Sequence, residues 1–288
     1  MSTTRKIFIL FFAVVLVVIG LVIFNIFFAN RVSADPKQLF YDSITRDLSE
    51  KGVSCTVTKS ESGTTQELAV QLDLASKTDA HSTLMVRTDG STVRTEEVVL
   101  KSDDYLRYTQ ASAAAKDSSG KSADFSKIVG KWIKADKKSS LFGMTSLGGC
   151  VVPLADVPTK DETALKVAIE KGEAFKADFA NAATATIDNQ PVRQYDVTIQ
   201  PGPYVTFMQN VGSAYGLSDL KSLNIKDYDT KTPRKAIFSV NTKTGRLARI
   251  QFTDESRVVT FTDYGKIPQV SAPSTSITNK QAAQLVAQ

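Results

Sequence analysis

Residues 238–265 read FSVNTKTGRLARIQFTDESRVVTFTDYG, and this stretch sets the fold class. Phe238 and Val240 alternate with polar neighbours and run into Asn241 to Gly245, a Gly-containing turn. Leu247 to Phe252 returns, Asp254-Glu255-Ser256 turns again, and Val258 to Phe261 follows. Period-2 apolar runs separated by short turns of this chemistry predict a three-strand antiparallel meander with one covered face.

The same period appears upstream. Tyr195, Val197 and Ile199 alternate and end at Pro201-Gly202-Pro203. Leu68, Val70, Leu72 and Leu74 alternate strictly. Leu84 and Val86 continue the pattern, and Asp89-Gly90 predicts a hairpin turn into Val93 to Leu100. Tyr105-Leu106-Arg107-Tyr108 reads as another strand after an Asp103-Asp104 turn.

Helical spacing is interleaved with these strands. Leu39, Phe40, Ile44 and Leu48 predict a first helix stopped by Gly52. Phe125, Ile128, Val129 and Trp132 predict a short helical stripe. Leu165, Ile169, Gly172, Phe175 and Phe179 predict an amphipathic helix from Thr163 to Ala180. Phe207, Met208, Val211 and Tyr215 predict a further helix ending at Gly216, with a short one around Leu217, Leu220 and Leu223. Residues 110–124 are polar and small and read as a surface loop, and the tail after Pro273 reads as polar and loose. No short fixed repeat is present. Runs of strands with separate helices predict an α+β fold.

The N-terminus carries a different signal. Ile7 to Ala29 is a 23-residue run without charge, its only polar side chain being Asn25. At 1.5 Å per residue such a helix reaches roughly 34 Å, enough for a hydrocarbon core of about 30 Å. Its backbone hydrogen bonds are internal, so lipid is a tolerable solvent for it. Arg5 and Lys6 in the six-residue stub before it predict a cytoplasmic N-terminus and an extracytoplasmic domain after Asn30. Val32-Ser33-Ala34 resembles a small-residue cleavage site, so removal after Ala34 stands as the rival reading; the apolar run exceeds the 7–15 residues usual for signals. The expected organisation is a stub at 1–6, a transmembrane helix at 7–29, a linker at 30–35, an extracytoplasmic domain at 36–273 and a flexible tail at 274–288. The expected address is the plasma membrane, crossed once.

Composition narrows the functional classes. Apolar residues make up 42% of the 288 and charged residues 23%, which is globular composition and excludes a disordered, collagenous or coiled-coil chain. The net charge of +5 invites a nucleic-acid reading. Of 35 basic residues, however, Arg5, Lys6 and Arg31 precede residue 35, leaving 32 against 30 acids in the remainder. Those charges are interspersed, with no basic stripe carrying interleaved aromatics, so nucleic acid is not an expected partner. One histidine and two cysteines exclude a zinc knuckle or iron–sulfur centre. No metal or cofactor is expected.

Cys55 and Cys150 both lie beyond the membrane span, where disulfides persist. A bridge between them closes a loop of about 95 residues, worth ~4–5 kcal/mol in the chain-entropy model. Two separate buried thiols are the alternative.

Several segments in order resemble a known family. Tyr105-Leu106-Arg107-Tyr108, a variable loop and Lys131-Trp132-Ile133-Lys134 are similar to a strand bearing a Tyr followed by a W-x-K segment in LolA-like envelope lipoproteins of the LppX/LprG type. Tyr195-Asp196-Val197-Thr198-Ile199 resembles their next strand. Phe238 to Leu247 resembles their penultimate hairpin, and Phe261-Thr262-Asp263-Tyr264-Gly265 their final strand. The resemblance spans about residues 36–273. It implies a strongly curved antiparallel sheet, a half-barrel, with helices packed on its concave side. It also implies a lipid or lipoprotein acyl chain held in that concavity, or else a sensory role. Relatives are commonly soluble or lipid-anchored; a transmembrane tether here argues against free shuttling.

Candidate ligand-lining residues are the alternating set Leu68, Val70, Leu72 and Leu74 together with Phe207, Met208, Val211, Phe238 and Phe252. Each has simple core packing as its plainer role. Paired acids occur at Asp103-Asp104, Glu96-Glu97, Asp227/Asp229 and Asp254-Glu255, but acids in turns cap or solvate, and acid–base catalysis needs environments that split two pKa values. His81 beside Ser82 has no neighbouring acid pattern that specifies a triad and reads as an exposed edge histidine. Gly143 to Gly149 lacks both GxxxxGK[ST] and GxGxxG and reads as a flexible turn. Trp132 reads as a buried ring beneath the loop. The expected function is a membrane-anchored extracytoplasmic module for a lipid, a lipoprotein acyl chain or another hydrophobic ligand, not an enzyme. The alternative is an envelope sensing or protein-interaction domain with a filled core.

Overall fold

The computed structural model describes residues 32–47, 50–73, 79–88, 91–100, 103–111, 124–135, 159–171, 174–215, 218–228 and 231–286. Among the described residues no helix is long and apolar enough to cross a membrane, and the predicted span at 7–29 lies outside them. Cys150 and Leu74 also lie outside them.

Helix α1 (Pro36–Asp47) starts where its chemistry says it should. Asp35 caps it by accepting from the Gln38 backbone N–H at 2.8 Å, and Pro36 fills the first position, where no donor is needed. Leu39, Phe40 and Ile44 are fully buried, as their spacing predicts. Gly52 is not a helix stop but the first residue of a strand. A Cβ there would sit 2.9 Å from the Leu72 carbonyl oxygen and 3.0 Å from Ile267 Cβ, so the backbones approach closely only because none is present.

Thirteen strands among the described residues form one curved, open sheet. They are β1 (Gly52–Glu61), β2 (Thr64–Asp73), β3 (Asp79–Thr88), β4 (Ser91–Val99), β5 (Asp104–Gln110), β6 (Trp132–Lys134), β7 (Phe175–Ala177), β8 (Ala183–Ile187), β9 (Gln190–Ile199), β10 (Arg234–Asn241), β11 (Leu247–Phe252), β12 (Arg257–Thr262) and β13 (Ile277–Thr278). The order across the sheet is β13-β6-β5-β4-β3-β2-β1-β12-β11-β10-β9-β7, with β8 also on β9. Pairing is antiparallel except where β13 lies parallel to β6. The meander of β10, β11 and β12 is the one read from residues 238–265, with Val259 opposite Ile250 and Ile250 opposite Phe238.

Antiparallel partners share a face, so the register traces the covered side across the whole sheet. Val53, Cys55 and Val57 oppose Leu72, Val70 and Leu68. These oppose Ala80, Ser82 and Leu84, then Val99, Glu97 and Thr95. In the other direction Cys55 and Val57 oppose Phe261 and Val259, and Phe238 opposes Tyr195. The half of this face around β1 and β9–β12 is closed by α1, by α2 (Thr159–Lys171) through Leu165 and Ile169, and by α3 (Pro201–Tyr215) through Phe207, Met208 and Val211. Phe40 anchors it, its ring 5.2 Å from Tyr195, 5.7 Å from Phe179 and 5.9 Å from Phe238. A short helix α4 (Ser218–Lys221) buries Leu220 against the same core.

Three local expectations are corrected. The predicted helix from Thr163 to Ala180 stops at Lys171, and Phe175 belongs to β7, paired with Ile199. The β9 edge needs strand partners there, and hydrogen bonding along that edge wins over an i, i+3/i+4 spacing that Phe175 and Phe179 share with Leu165 and Ile169 by chance. The stripe from Phe125 to Trp132 is a 3-10 turn at Phe125–Ile128, after which Gly130 at φ +80° redirects the chain into β6, where Trp132 sits. Pro201-Gly202-Pro203 ends β9 as its alternation predicts and also forms the first turn of α3; prolines are tolerated there because the first backbone N–H groups of a helix have no internal partner. The tail is ordered: β13 adds to the edge of β6 and leads into α5 (Asn279–Val286). Thr278 and Gln281 form a capping box, in which Thr278 Oγ1 accepts from the Gln281 backbone N–H at 3.2 Å and Gln281 Oε1 from the Thr278 N–H at 2.9 Å.

Candidate ligand cavity

The other half of the covered face, on β3–β6, is built differently. The large helices do not reach it, and among the described residues α5 and the Phe125–Ile128 turn lie over it. A second small core holds Ile128, Ile133 and Ala282 buried, with Tyr108, Phe125, Ile277, Leu285 and Val286 packed around them. Beside it opens a cavity of about 660 Å³. That volume lies within the range of small-molecule sites.

The strands position the walls by alternation. Ser82 and Leu84 come from β3, Thr95 and Glu97 from β4, Asp104, Leu106 and Tyr108 from β5, and Ile133 from β6. Phe125, Ile128 and Ala135 close one side, and Asn279, Ala282, Ala283 and Val286 of α5 the other. The lining is mainly apolar, with a polar patch at Ser82, Glu97 and Asp104. Glu97 stands opposite Ser82 and opposite Leu106, while Asp104 stands opposite Val99 one step along the same face. Burial pushes the Glu97 carboxyl up to about 7, the Asp104 charge adds to the rise, and a hydrogen bond with Ser82 partly opposes it. Burial likewise raises the Tyr108 phenol, which stays protonated near neutrality.

The outer face behind the cavity is a charge network. His81 Nε2 lies 2.7 Å from Glu96 Oε1, and Arg107 Nε donates to Glu96 Oε2 at 3.0 Å. Burial raises the Glu96 pKa, but the hydrogen bonds from Arg107 and His81 outweigh it and hold the carboxyl below its usual range. The Arg107 guanidinium sits 4.5 Å from the centre of the Trp132 ring. His81 is therefore not an edge residue but an interior position of β3, and Trp132 lies half-exposed on a strand.

The sequence-derived ligand residues fall elsewhere. Val70, Leu72, Phe207, Met208, Val211, Phe238 and Phe252 are buried in the large core, and Leu68 packs against it. Phe252 closes one end of that core, with the guanidiniums of Arg257 and Arg234 at 3.8 and 5.5 Å from its ring centre. Phe207 also borders a smaller cavity of about 340 Å³ beside α3. The 660 Å³ cavity is reached by none of them. Cys55 is buried on β1 and its expected partner Cys150 lies outside the described residues; no described cysteine is free.

The acid pairs also separate. Glu96 and Glu97 point to opposite faces of β4, Asp104 is buried rather than solvated in a turn, and Asp254 and Glu255 pair with Arg234 at 2.7 and 2.8 Å. Asp227 lies in a 3-10 turn and Asp229 outside the described residues. Among the described residues no group of three or more His, Cys, Asp or Glu side chains is placed to hold a metal ion. Sequence reasoning misses Leu84, Leu106, Tyr108 and Ile133 as lining, although alternation marks the strands that carry the first three.

No family model and no curated protein matches this chain. Among solved structures, it is similar to LprF from Mycobacterium bovis at 10% identity, over 85% of this chain and 100% of that one, with a TM-score of 0.47. MucB matches at 7% identity over 87% of this chain and 62% of its own, with a TM-score of 0.29. MucB in complex with MucA(peri) matches at 8% identity over 84% and 58%, with a TM-score of 0.25. Likenesses this distant transfer no function to the chain.

Proposed function

We propose that this chain is a LolA-like envelope module, anchored by residues 7–29 with its domain outside the membrane, that holds a lipid, a lipoprotein acyl chain or another hydrophobic ligand. The observation that carries the reading is the 660 Å³ cavity, walled mainly by Leu84, Leu106, Tyr108, Ile128 and Ile133, standing beside a core that is closed. Apolar cavities with few polar groups are the usual form of small-molecule sites. Cavities elsewhere in proteins are costly, since each unfilled volume forfeits packing. A Cys55–Cys150 bridge belongs to the same extracytoplasmic reading.

The test is native mass spectrometry of the full chain purified from its membrane, followed by solvent extraction. A stoichiometric mass excess that extracts as lipid supports the reading. A bare mass that stays unchanged after incubation with envelope lipids overturns it, and the interaction-domain alternative takes its place.

A further inference from the structure

The segment that follows the proposed membrane span is fastened to the domain. Val32 packs against the large core, and a Cβ at Gly245 would lie 3.4 Å from one of its methyl groups. Ser33 Oγ accepts from the Asp35 backbone N–H at 3.2 Å, the Ala34 carbonyl accepts from Arg193 Nη1 at 3.0 Å, and Asp35 caps α1. The same corner is stitched to the turn between β10 and β11. Arg46 of α1 donates to the Thr244 carbonyl at 2.6 Å, and Arg246 Nε donates to Glu50 at 2.8 Å. The turn itself is held in shape. Asn241 Oδ1 accepts from the Lys243 and Thr244 backbone N–H groups at 2.9 and 3.0 Å, and the Asn241 carbonyl accepts from the Gly245 N–H at 2.8 Å. Gly245 closes the turn at φ +68°, a conformation that glycine adopts without strain. Lys243 and Thr244 stand exposed at its tip.

Chain length then decides how far this turn can be from the bilayer. With the span ending at Ala29, only Asn30 and Arg31 separate it from the docked Val32. Three Cα steps cover at most about 10–11 Å even when fully extended. The head-group layer takes up roughly 5–7 Å beyond the hydrocarbon on each side. The folded domain therefore begins at the outer border of that layer. We propose that the β10–β11 turn, residues 241–246, is the surface on which the domain rests against the phospholipid head groups of its own membrane, held there by the shortness of its tether. This rests on residues 7–29 being the anchor.

Charge is not what holds the contact. Arg46 and Arg193 donate to backbone carbonyls and Arg246 to Glu50, while Asp188 lies in the neighbouring β8–β9 turn. A contact imposed by a tether is insensitive to screening, whereas one between exposed charges fades as salt rises. The turn between β11 and β12 lies at the other end of β11, about 20 Å along that strand, and is carried away from the bilayer.

The experiment uses the full chain in phosphatidylcholine vesicles that carry a nitroxide on a fraction of their head groups, with tryptophan emission as the readout. In a Trp132→Phe background, Lys243→Trp places the fluorophore on the turn, and Thr244→Trp repeats it should the first variant not fold. Thr253→Trp places it at the far end of β11. The turn reporter is expected to lose most of its emission to the nitroxide at low and high ionic strength alike, and Thr253→Trp to keep nearly all of it. Inserting a Gly/Ser linker of about 20 residues after Asn30, with an r.m.s. length of about 25 Å, is expected to restore the emission of the turn reporter. Equal loss at the two positions, no loss at either, or a loss that survives the longer linker overturns the docking while leaving the anchor in place. A chain that fails to float with the vesicles overturns the anchor and the docking with it.

Discussion

Glu97→Gln changes stability in a pH-dependent way whose sign follows from the site. In the folded chain burial and the Asp104 charge move the Glu97 carboxyl from its ordinary 4.5 to about 7. The fold therefore holds this proton more tightly than the unfolded chain does. The stabilisation it confers is complete below about 4.5, declines as pH rises through that interval, and is gone above about 7. At 1.36 kcal/mol per unit the full interval corresponds to about 3 kcal/mol, and partial solvent contact at Glu97 reduces it to about 1–2 kcal/mol. Glutamine keeps the shape and a hydrogen-bonding group for Ser82 but never ionises. The variant is expected to be more stable than the parent by about 1–2 kcal/mol at pH 8 and to be close to it at pH 4.5. Urea unfolding of the two chains across pH 4.5–8 measures this. The single tryptophan reports it directly, since Trp132 lies on β6 next to the cavity wall. Parallel pH profiles for the two chains, or a variant less stable at pH 8, would refute the assignment of Glu97 as a half-buried, destabilised carboxylate.

Other substitutions test the frame around the site. Phe40→Ala removes a fully buried ring in contact with Tyr195, Phe179 and Phe238, and a loss of about 3–5 kcal/mol is expected in chemical denaturation. Gly52→Ala drives a methyl into the Leu72 carbonyl and Ile267, with an expected loss of about 1–3 kcal/mol by the same measurement. Thr278→Ala deletes half of the capping box of α5 and costs that helix about 1 kcal/mol, which hydrogen exchange of residues 279–286 reads as faster exchange while β10–β12 stay protected.

Much of the sheet is legible in the sequence because alternation is a local property. Tyr195, Val197 and Ile199, or Leu68, Val70 and Leu72, announce a covered face by themselves. The hairpin of β8 and β9 escapes that reading, although Asp188 and Asn189 at φ 48° and 60° are the residue types that accept the left-handed conformation such a turn needs. The C-terminal helix is equally signalled by Thr278-Asn279-Lys280-Gln281 ahead of Ala282, Leu285 and Val286, but its polar composition masks the cap. The strand at Phe175 lies beyond local reading, since it exists to satisfy the β9 edge. The cavity is hidden for a related reason. Alternation marks which side of a strand is covered and says nothing of whether side chains or a void cover it. Leu72 and Leu84 lie on one continuous face, yet α1–α3 close over the first and stop short of the second, a difference set by tertiary closure.

We propose that ligand is held on β3–β6 and not in the large core. It is tested most directly by the lipid content of three purified full chains: the parent, Leu106→Trp, which fills the cavity, and Met208→Leu, a volume-conserving change in the closed core. Stoichiometric lipid is expected in the parent and in Met208→Leu, and its loss from a folded Leu106→Trp. Lipid retained at parental stoichiometry in folded Leu106→Trp, or absent from the parent, would contradict it.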